Sequence, residues 1–179
     1  SLYKIRSSCP SCSKKIDIIN LIPLIGFLIQ KGKCKFCGSN ISKFYLFTEI
    51  FFLLIGILLV YNYGISLSTI IYTIIIFCFY ILFVLDYKYL YLPLYINLLI
   101  VLIGVTFNAK FQLFLDETFL ILGITPISFT LYGFFFGYSS LWFINFIYKF
   151  IKKKDGIGGG DFILFGGIGS IHGPIALPL

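Results

Sequence analysis

The chain has 179 residues, of which 59% are apolar and only 12% charged, and its mean hydropathy is +1.01. A soluble domain carries about 25% charged residues, so the composition excludes a soluble globular protein and predicts an all-α polytopic membrane protein in contact with lipid. The net charge is +7, but eight of the fourteen basic residues lie within residues 1–43 and four more within 149–154. This clustering is typical of cytoplasmic loops and not of a nucleic-acid surface, so no nucleic-acid partner is expected.

Residues 1–43 form a polar, basic unit with two CxxC pairs, Cys9/Cys12 and Cys34/Cys37, separated by 21 residues. Two such knuckles predict one structural zinc ion held by four thiolates, because each knuckle offers two ligands to a tetrahedral site. Two disulfides are the alternative, which a reducing cytoplasm disfavours. A thioredoxin-like redox pair is disfavoured too, since no βαβ pattern surrounds either CxxC.

Apolar segments follow from residue 44 to the end of the chain. The first two, 44–61 and 65–85, are each close to the roughly 20 residues that a helix needs to cross a bilayer. A third, 92–107, is shorter and begins with Pro93 in its first turn, where the missing N–H costs nothing. The segment from 162 starts a last, incomplete span. We therefore expect about five spans over 44–179, in a fragment that lacks a first span and the C-terminal ones.

The segment 119–151 is ambiguous, because it is long and contains Pro126 among several glycines. It is either one long helix kinked near Pro126 or a pair of short passes. If residues 1–43 are cytoplasmic, one crossing here returns the chain to the cytoplasm at the lysines of 149–154, as the positive-inside rule favours. Asp86, after two crossings, and Asp161, after four, then meet the same aqueous face.

Asp86 and Asp161 are two of only seven acidic residues, and both border apolar spans. Carboxylates near bilayer depth are costly, so such residues are functional candidates. Two carboxylates brought close together share a proton and can activate water against a peptide carbonyl. A structural alternative stays open at this point: Asp86 caps a helix or pairs with Lys88, and Asp161 is the N-cap of a helix beginning at Phe162.

Other polar and sulfur-bearing side chains have weaker signals. Glu49 lies early in the first span, as a snorkelling acid or a cofactor contact. Cys78 and His172 are expected to be packing or interfacial residues. Asp116 and Glu117 are expected to be solvated in an outer loop.

Several motifs in their order and spacing resemble the type IV prepilin peptidases, membrane aspartic proteases of the GxGD type. The matching stretches are 6–12 with the first knuckle, 22–24 (Ile-Pro-Leu), 32–38 with the second knuckle, 41–42, Glu49, Asp86 followed seven residues later by Pro93, and 156–161 (Gly-Ile-Gly-Gly-Gly-Asp). The resemblance covers nearly the whole chain. Two positions depart from the family pattern: Ile163 stands where a lysine is usual, and Leu46 where a proline is usual.

The resemblance implies that Asp86 and Asp161 are the catalytic pair, which removes the leader of type IV prepilins or pseudopilins at the cytoplasmic face of the inner membrane. It also implies methylation of the new N-terminal amine from S-adenosylmethionine. Two other classes of function remain as alternatives: a proton-coupled transporter that uses the two acids as a relay, and a catalytically inactive scaffold for pilus or secretion assembly.

Overall fold

The computed structural model describes residues 7–111, 123–174 and 177, and this part of the chain is mostly helical, with no strand. The chain divides into two compact units, Ser1–Thr69 and Ile70–Leu179. Among the described residues, four helices are long and apolar enough to cross a membrane. The predicted all-α multi-pass class is therefore confirmed, whereas the predicted boundary at residue 43 stays a prediction.

The first unit contains the two cysteine knuckles, a 3₁₀ turn at Ile18–Leu21 and the short helix α1, Ile25–Ile29. Helix α2, Lys43–Tyr63, begins where the Ser42 hydroxyl accepts a hydrogen bond from an amide of its first turn. It buries none of its residues within the described structure and is long enough to cross a bilayer. Its apolar surface suits contact with lipid.

Helices α3, Leu67–Tyr89, and α4, Leu94–Phe111, begin the second unit. The buried residues of α3 recur at steps of four and three, which places them on one helical face. They belong to one core with buried residues of α4 and of the last helix, which consists of Ile71, Ile75, Cys78, Leu82, Ile96, Ile100, Ile103 and Ile171. Cys78 is 5% exposed in this core, so its predicted packing role is confirmed.

Helix α5, Pro126–Lys152, is one continuous helix, and helix α6, Gly159–His172, follows it. The Thr125 hydroxyl accepts a hydrogen bond from the Ser128 amide at 3.2 Å, and Pro126 lies in the first turn. Pro126 therefore starts the helix and does not kink it. Of the two alternatives for 119–151, the structure has the single long helix, although 119–122 lie outside the described residues.

Glycines allow α5 and α6 to pack in antiparallel contact. A Cβ atom on Gly133 would overlap the carbonyl oxygen of Gly169, and one on Gly137 would lie 2.5 Å from the carbonyl oxygen of Phe165. Such backbone approach between membrane helices requires small residues at the contact.

Replacing Gly133 by alanine is expected to destabilise the second unit by about 1–3 kcal/mol, because the new methyl group forces the two backbones apart. Gly56→Ala is the matched control, since a Cβ at Gly56 of α2 meets nothing within 4 Å. It should leave stability unchanged or raise it by about 0.5–1 kcal/mol. Thermal unfolding in detergent compares the variants, and equal melting of Gly133→Ala and wild type would contradict the close contact.

Candidate active site and metal centre

The four knuckle cysteines converge in the first unit. The Sγ atoms of Cys9, Cys12, Cys34 and Cys37 all lie within 4.8 Å of one another, and the Cys9–Cys37 pair is 3.8 Å apart. Zinc–sulfur bonds of about 2.3 Å in a tetrahedron place the sulfurs about 3.8 Å apart. The four thiols are free, and their spacing around one point fits a metal ion.

Both knuckles have the same backbone geometry. The amide of Ser13 donates to the carbonyl of Cys9 at 2.8 Å, and the amide of Gly38 donates to the carbonyl of Cys34 at 2.9 Å. The donor residue has a left-handed φ in each case, +56° for Ser13 and +69° for Gly38. This conformation suits glycine and is uncommon for serine, so each turn is held in a specific shape that presents its two thiols together.

The electrostatics of the thiols also favour a cation. Hydrogen bonds from the amides of Cys12 and Ser11 lower the pKa of Cys9 to about 6. The Lys14 amide acts to lower the pKa of Cys12, but desolvation and the neighbouring thiols outweigh it and raise that pKa to about 11. Hydrogen bonds from Ser39 lower the pKa of Cys37 as well. Two of the four thiols therefore lose their protons more readily than a free cysteine, as ligands of a metal ion must.

Glu49 on α2 is held by a strained turn in the same unit. Its Oε2 atom accepts a hydrogen bond from the amide of Leu24 at 2.7 Å. Leu24 has φ +62° and ψ −50°, and the Ile25 amide donates to the Pro23 carbonyl at 2.7 Å, which is the rare γ-turn. The carboxylate is therefore engaged with the backbone and is not simply a snorkelling acid.

Beside Glu49 lies a cavity of about 170 Å³. It is lined by Asn20, Leu21, Ile22, Phe27, Gln30, Ile41, Tyr45 and Glu49. Small-molecule sites commonly occupy about 300–1,000 Å³, so this cavity does not fit a group as large as S-adenosylmethionine.

Asp86 lies in the last turn of α3 and is exposed. The predicted end of this helix at residue 85 is wrong, because the helix continues to Tyr89 and the Leu90 amide still donates to the Asp86 carbonyl at 2.8 Å. The neighbouring Tyr87 and Tyr89 are 81% and 70% exposed. Tyrosines concentrate at membrane–water interfaces, so this end of α3 has the character of an interface.

Asp161 is the third residue of α6 and is half-buried. Its Oδ2 atom accepts a hydrogen bond from the Gly158 amide at 3.0 Å, and its own amide donates to the Gly158 carbonyl at 3.1 Å. The prediction that Asp161 could be the N-cap is wrong, because Gly158 occupies that position. Ile163 follows as a partly buried residue of the same helix.

The start of α6 lies against the connection between α3 and α4. A Cβ atom on Gly160 would lie 3.0 Å from the Cβ of Leu92 and 3.2 Å from its carbonyl oxygen. Leu92 follows Asp86 by six residues, and Gly160 immediately precedes Asp161. The two aspartates are therefore at the same end of the second unit; that they meet one aqueous face stays a prediction.

Asn97, a site residue that the sequence analysis missed, is fully buried in the first part of α4. Its Nδ2 atom donates to the carbonyl of Gly160 at 2.9 Å. Its Oδ1 atom is buried and has no hydrogen-bond partner within the described part of the chain. A buried acceptor without a hydrogen-bond partner lowers the free energy of unfolding by about 1–3 kcal/mol. The sequence signal that could have identified Asn97 is an amide side chain within an otherwise apolar span.

Asn145, which the sequence analysis also missed, shapes the loop before Asp161. Its Oδ1 atom accepts from the amides of Gly156 and Ile157 at 2.8 and 3.1 Å, and its Nδ2 atom donates to Asp155 at 3.2 Å. Lys149 pairs with the same carboxylate at 3.0 Å. A polar residue inside an apolar span was again the only sequence signal.

The pairing of Asp155 predicts a pH dependence for this loop. The Lys149 ammonium and then the Asn145 amide lower the pKa of Asp155 below its ordinary value of 3.8. The stabilisation is therefore present above pH 3.8 and is lost as the pH falls through the lower pKa of the folded state. The effect is small, because both partners are more than half exposed.

Asp155→Asn should melt slightly below wild type near neutral pH, and the difference should shrink as the pH falls below 3.8. Melting in detergent across this range measures it. Asp17→Asn, which removes the exposed partner of Lys35 in the first unit, is the control. A difference that grows on acidification would contradict the assigned pairing.

Comparison with known proteins identifies the family. Residues 72–179, which carry both aspartates, match the model of the type IV leader peptidase family. The chain belongs to this family. Residues 1–63, with the cysteine cluster, match the model of the bacterial peptidase A24 N-terminal domain.

Three relatives of this chain each have the name prepilin leader peptidase/N-methyltransferase. They come from Neisseria gonorrhoeae (32% identity, all of this chain and 59% of the relative), Dichelobacter nodosus (30%, 97% and 57%) and Klebsiella pneumoniae (31%, 96% and 71%). The chain thus spans less than two thirds of the length of the first two relatives. No solved structure matches it.

Proposed function

We propose that this chain is the core of a membrane aspartic endopeptidase that removes the leader peptide from type IV prepilins or pseudopilins. The observation that carries the proposal is the placement of Asp86 and Asp161 at one end of the second unit. This placement agrees with the family membership and with the names of the relatives. The peptidase domain predicted for residues 44–179 contains both residues.

In the proposed mechanism, the two carboxylates share one proton. The ionised partner accepts a proton from water as the water attacks the leader's peptide carbonyl, and the protonated partner donates a hydrogen bond to the carbonyl oxygen. The Gly158 amide, which donates to Asp161 Oδ2 at 3.0 Å, holds this carboxylate in place at the start of α6. Asp86, exposed at the interface, is suited to meet water and substrate.

The proposed metal is a structural zinc ion, bound by Cys9, Cys12, Cys34 and Cys37. The four free thiols and the tetrahedral spacing of Cys9 and Cys37 support this identity. The proposed location is the cytoplasmic, or inner, membrane with the active site facing the cytoplasm. Lys149 and Lys152, in the last turn of α5, support this orientation, because they lie just before the loop that leads to Asp161.

A second proposed activity is N-methylation of the new pilin N-terminus from S-adenosylmethionine. This proposal rests on the name of the relatives alone. The cavity beside Glu49 does not add support, since it is too small for this cofactor. The mass of the processed pilin tests it: a gain of one methyl group on the new N-terminus supports the activity, and its absence with the cofactor supplied contradicts it.

The test of the peptidase is cleavage of a purified prepilin by the purified chain in detergent or lipid, read by mass spectrometry. Release of the intact leader is the expected result. Proton transport that is lost on aspartate replacement, without any cleavage, would instead favour a proton-coupled transporter. Binding of prepilin without cleavage by the wild-type chain would favour an inactive assembly scaffold.

A further inference from the structure

We propose that Asn97 is a positioning residue for Asp161, an inference that rests on the proposed peptidase function and goes beyond its aspartate pair. The Nδ2 atom of Asn97 donates to the carbonyl oxygen of Gly160 at 2.9 Å. That carbonyl belongs to the peptide unit whose nitrogen is the amide of Asp161. A peptide unit is planar, so a hydrogen bond that fixes the Gly160 oxygen also fixes the orientation of the N–Cα bond of Asp161.

The position of Asn97 along α4 links both catalytic segments. Its backbone amide bonds to the carbonyl of Pro93 at 3.4 Å, which ties it to the connection that follows Asp86. Its side chain reaches across to α6 at the residue before Asp161. One buried carboxamide therefore sets the start of α6 against the connection that leaves Asp86, and a small displacement of reacting groups is costly in rate.

The burial of Asn97 argues for a role in the site, not in packing alone. Its side chain is 0% exposed within a membrane-spanning helix, where an apolar residue would fill the same space. Its Oδ1 atom has no partner within the described residues. Buried polar atoms without partners are uncommon and call for an explanation. The Nδ2 atom of Asn97 thus donates to the Gly160 carbonyl although burial leaves the Oδ1 atom of the same side chain without a donor among the residues that the structure describes.

Asn108 provides a matched control on the same two helices. Its Nδ2 atom donates to the carbonyls of Ser170 and Ile171 at 3.1 and 3.3 Å, and its side chain is also 0% exposed. It lies eleven residues beyond Asn97, about three helical turns, and therefore on the same face of α4. Asn108 joins the far end of α6, away from Asp161, so it shares the packing role without the positioning role.

The experiment compares Asn97→Leu with Asn108→Leu in the full chain, with prepilin as substrate. For Asn97→Leu we expect kcat to fall by about 10- to 100-fold with KM unchanged, because the substrate still binds while Asp161 is displaced. Hydrogen exchange over residues 158–164 should also become faster. Asn108→Leu should keep its kcat and its exchange in that segment. Asn97→Ser, whose shorter side chain cannot span the bond to Gly160, replaces the leucine variant if the latter does not fold.

Equal kcat values for the Asn97 and Asn108 variants would overturn the inference, as would faster exchange at 158–164 without a loss of kcat. If the wild-type chain cleaves no leader, the proposed function is what fails. The exchange comparison then still applies to Asn97, and equal exchange of the two leucine variants over 158–164 overturns its hold on the Asp161 segment.

Discussion

Asp86→Asn and Asp161→Asn are each expected to abolish leader cleavage, lowering kcat by about 10⁴-fold, while the protein still inserts into the membrane. Each asparagine keeps the size of the side chain but cannot exchange a proton with water or share one with the other carboxylate. Because the two carboxylates act as a unit, the double variant should be no less active than either single variant. Cleavage of prepilin by purified protein, with product masses, measures the effect.

Asp17→Asn is the matched control for this replacement. Asp17 is an exposed carboxylate of the first unit that pairs with Lys35 at 3.4 Å, so its loss changes the charge by the same amount far along the chain from both catalytic aspartates. It should cleave at the wild-type rate. Retained cleavage by both single aspartate variants would exclude the proposed catalytic pair, and with it the assignment of the activity to the second unit.

Removal of the metal is expected to unfold the cysteine unit. A structural zinc ion supplies about 10–16 kcal/mol to a small unit. Of the described residues before α2, 7–42, only Cys9 and Gly26 are buried. We expect one zinc ion per chain in protein folded in a reducing compartment. Cys34→Ser or a strong chelator should remove it and expose the region before α2 to protease.

Cys78→Ala is the control for the cysteine replacement, because Cys78 lies in the core between α3 and α4 and has no part in the cluster. It should lower stability moderately, through the small cavity it leaves, and should keep the metal. Elemental analysis of both variants and of wild type distinguishes the two roles. Wild-type protein without metal, or a Cys34→Ser variant with a full equivalent of zinc, would contradict the proposed site.

The cysteine site was predictable because its ligands come in two local motifs. Each CxxC forms a turn within a few residues, and the sequence separation of the pairs already indicated a shared ion. The structure adds the left-handed φ at Ser13, which the residue type does not reveal. It also adds the contact of Glu49 with Leu24, because that contact joins residues that are 25 positions apart.

The helices were predictable in type but less so at their ends. Runs of apolar residues of bilayer length identify spans reliably, whereas the last turn depends on local hydrogen bonds. The third helix therefore continues through Asp86, and α6 begins two residues before Asp161. Pro126 was an ambiguous signal, because a proline either bends a helix or starts one, and the side chain of Thr125 decides for the start.

The sequence by itself determined the membrane class and the four clustered cysteines, because these follow from composition and from motifs within a few residues. It also predicted the aspartate pair, through motifs that resemble those of the family. Only the tertiary structure decided how the start of α6 is held. Asn97 and Asn145 hold it through hydrogen bonds to the backbone of Gly160 and of the loop at Gly156. A side chain that bonds to a backbone carbonyl 63 residues away requires no particular residue at that position, and therefore leaves no pattern in the sequence.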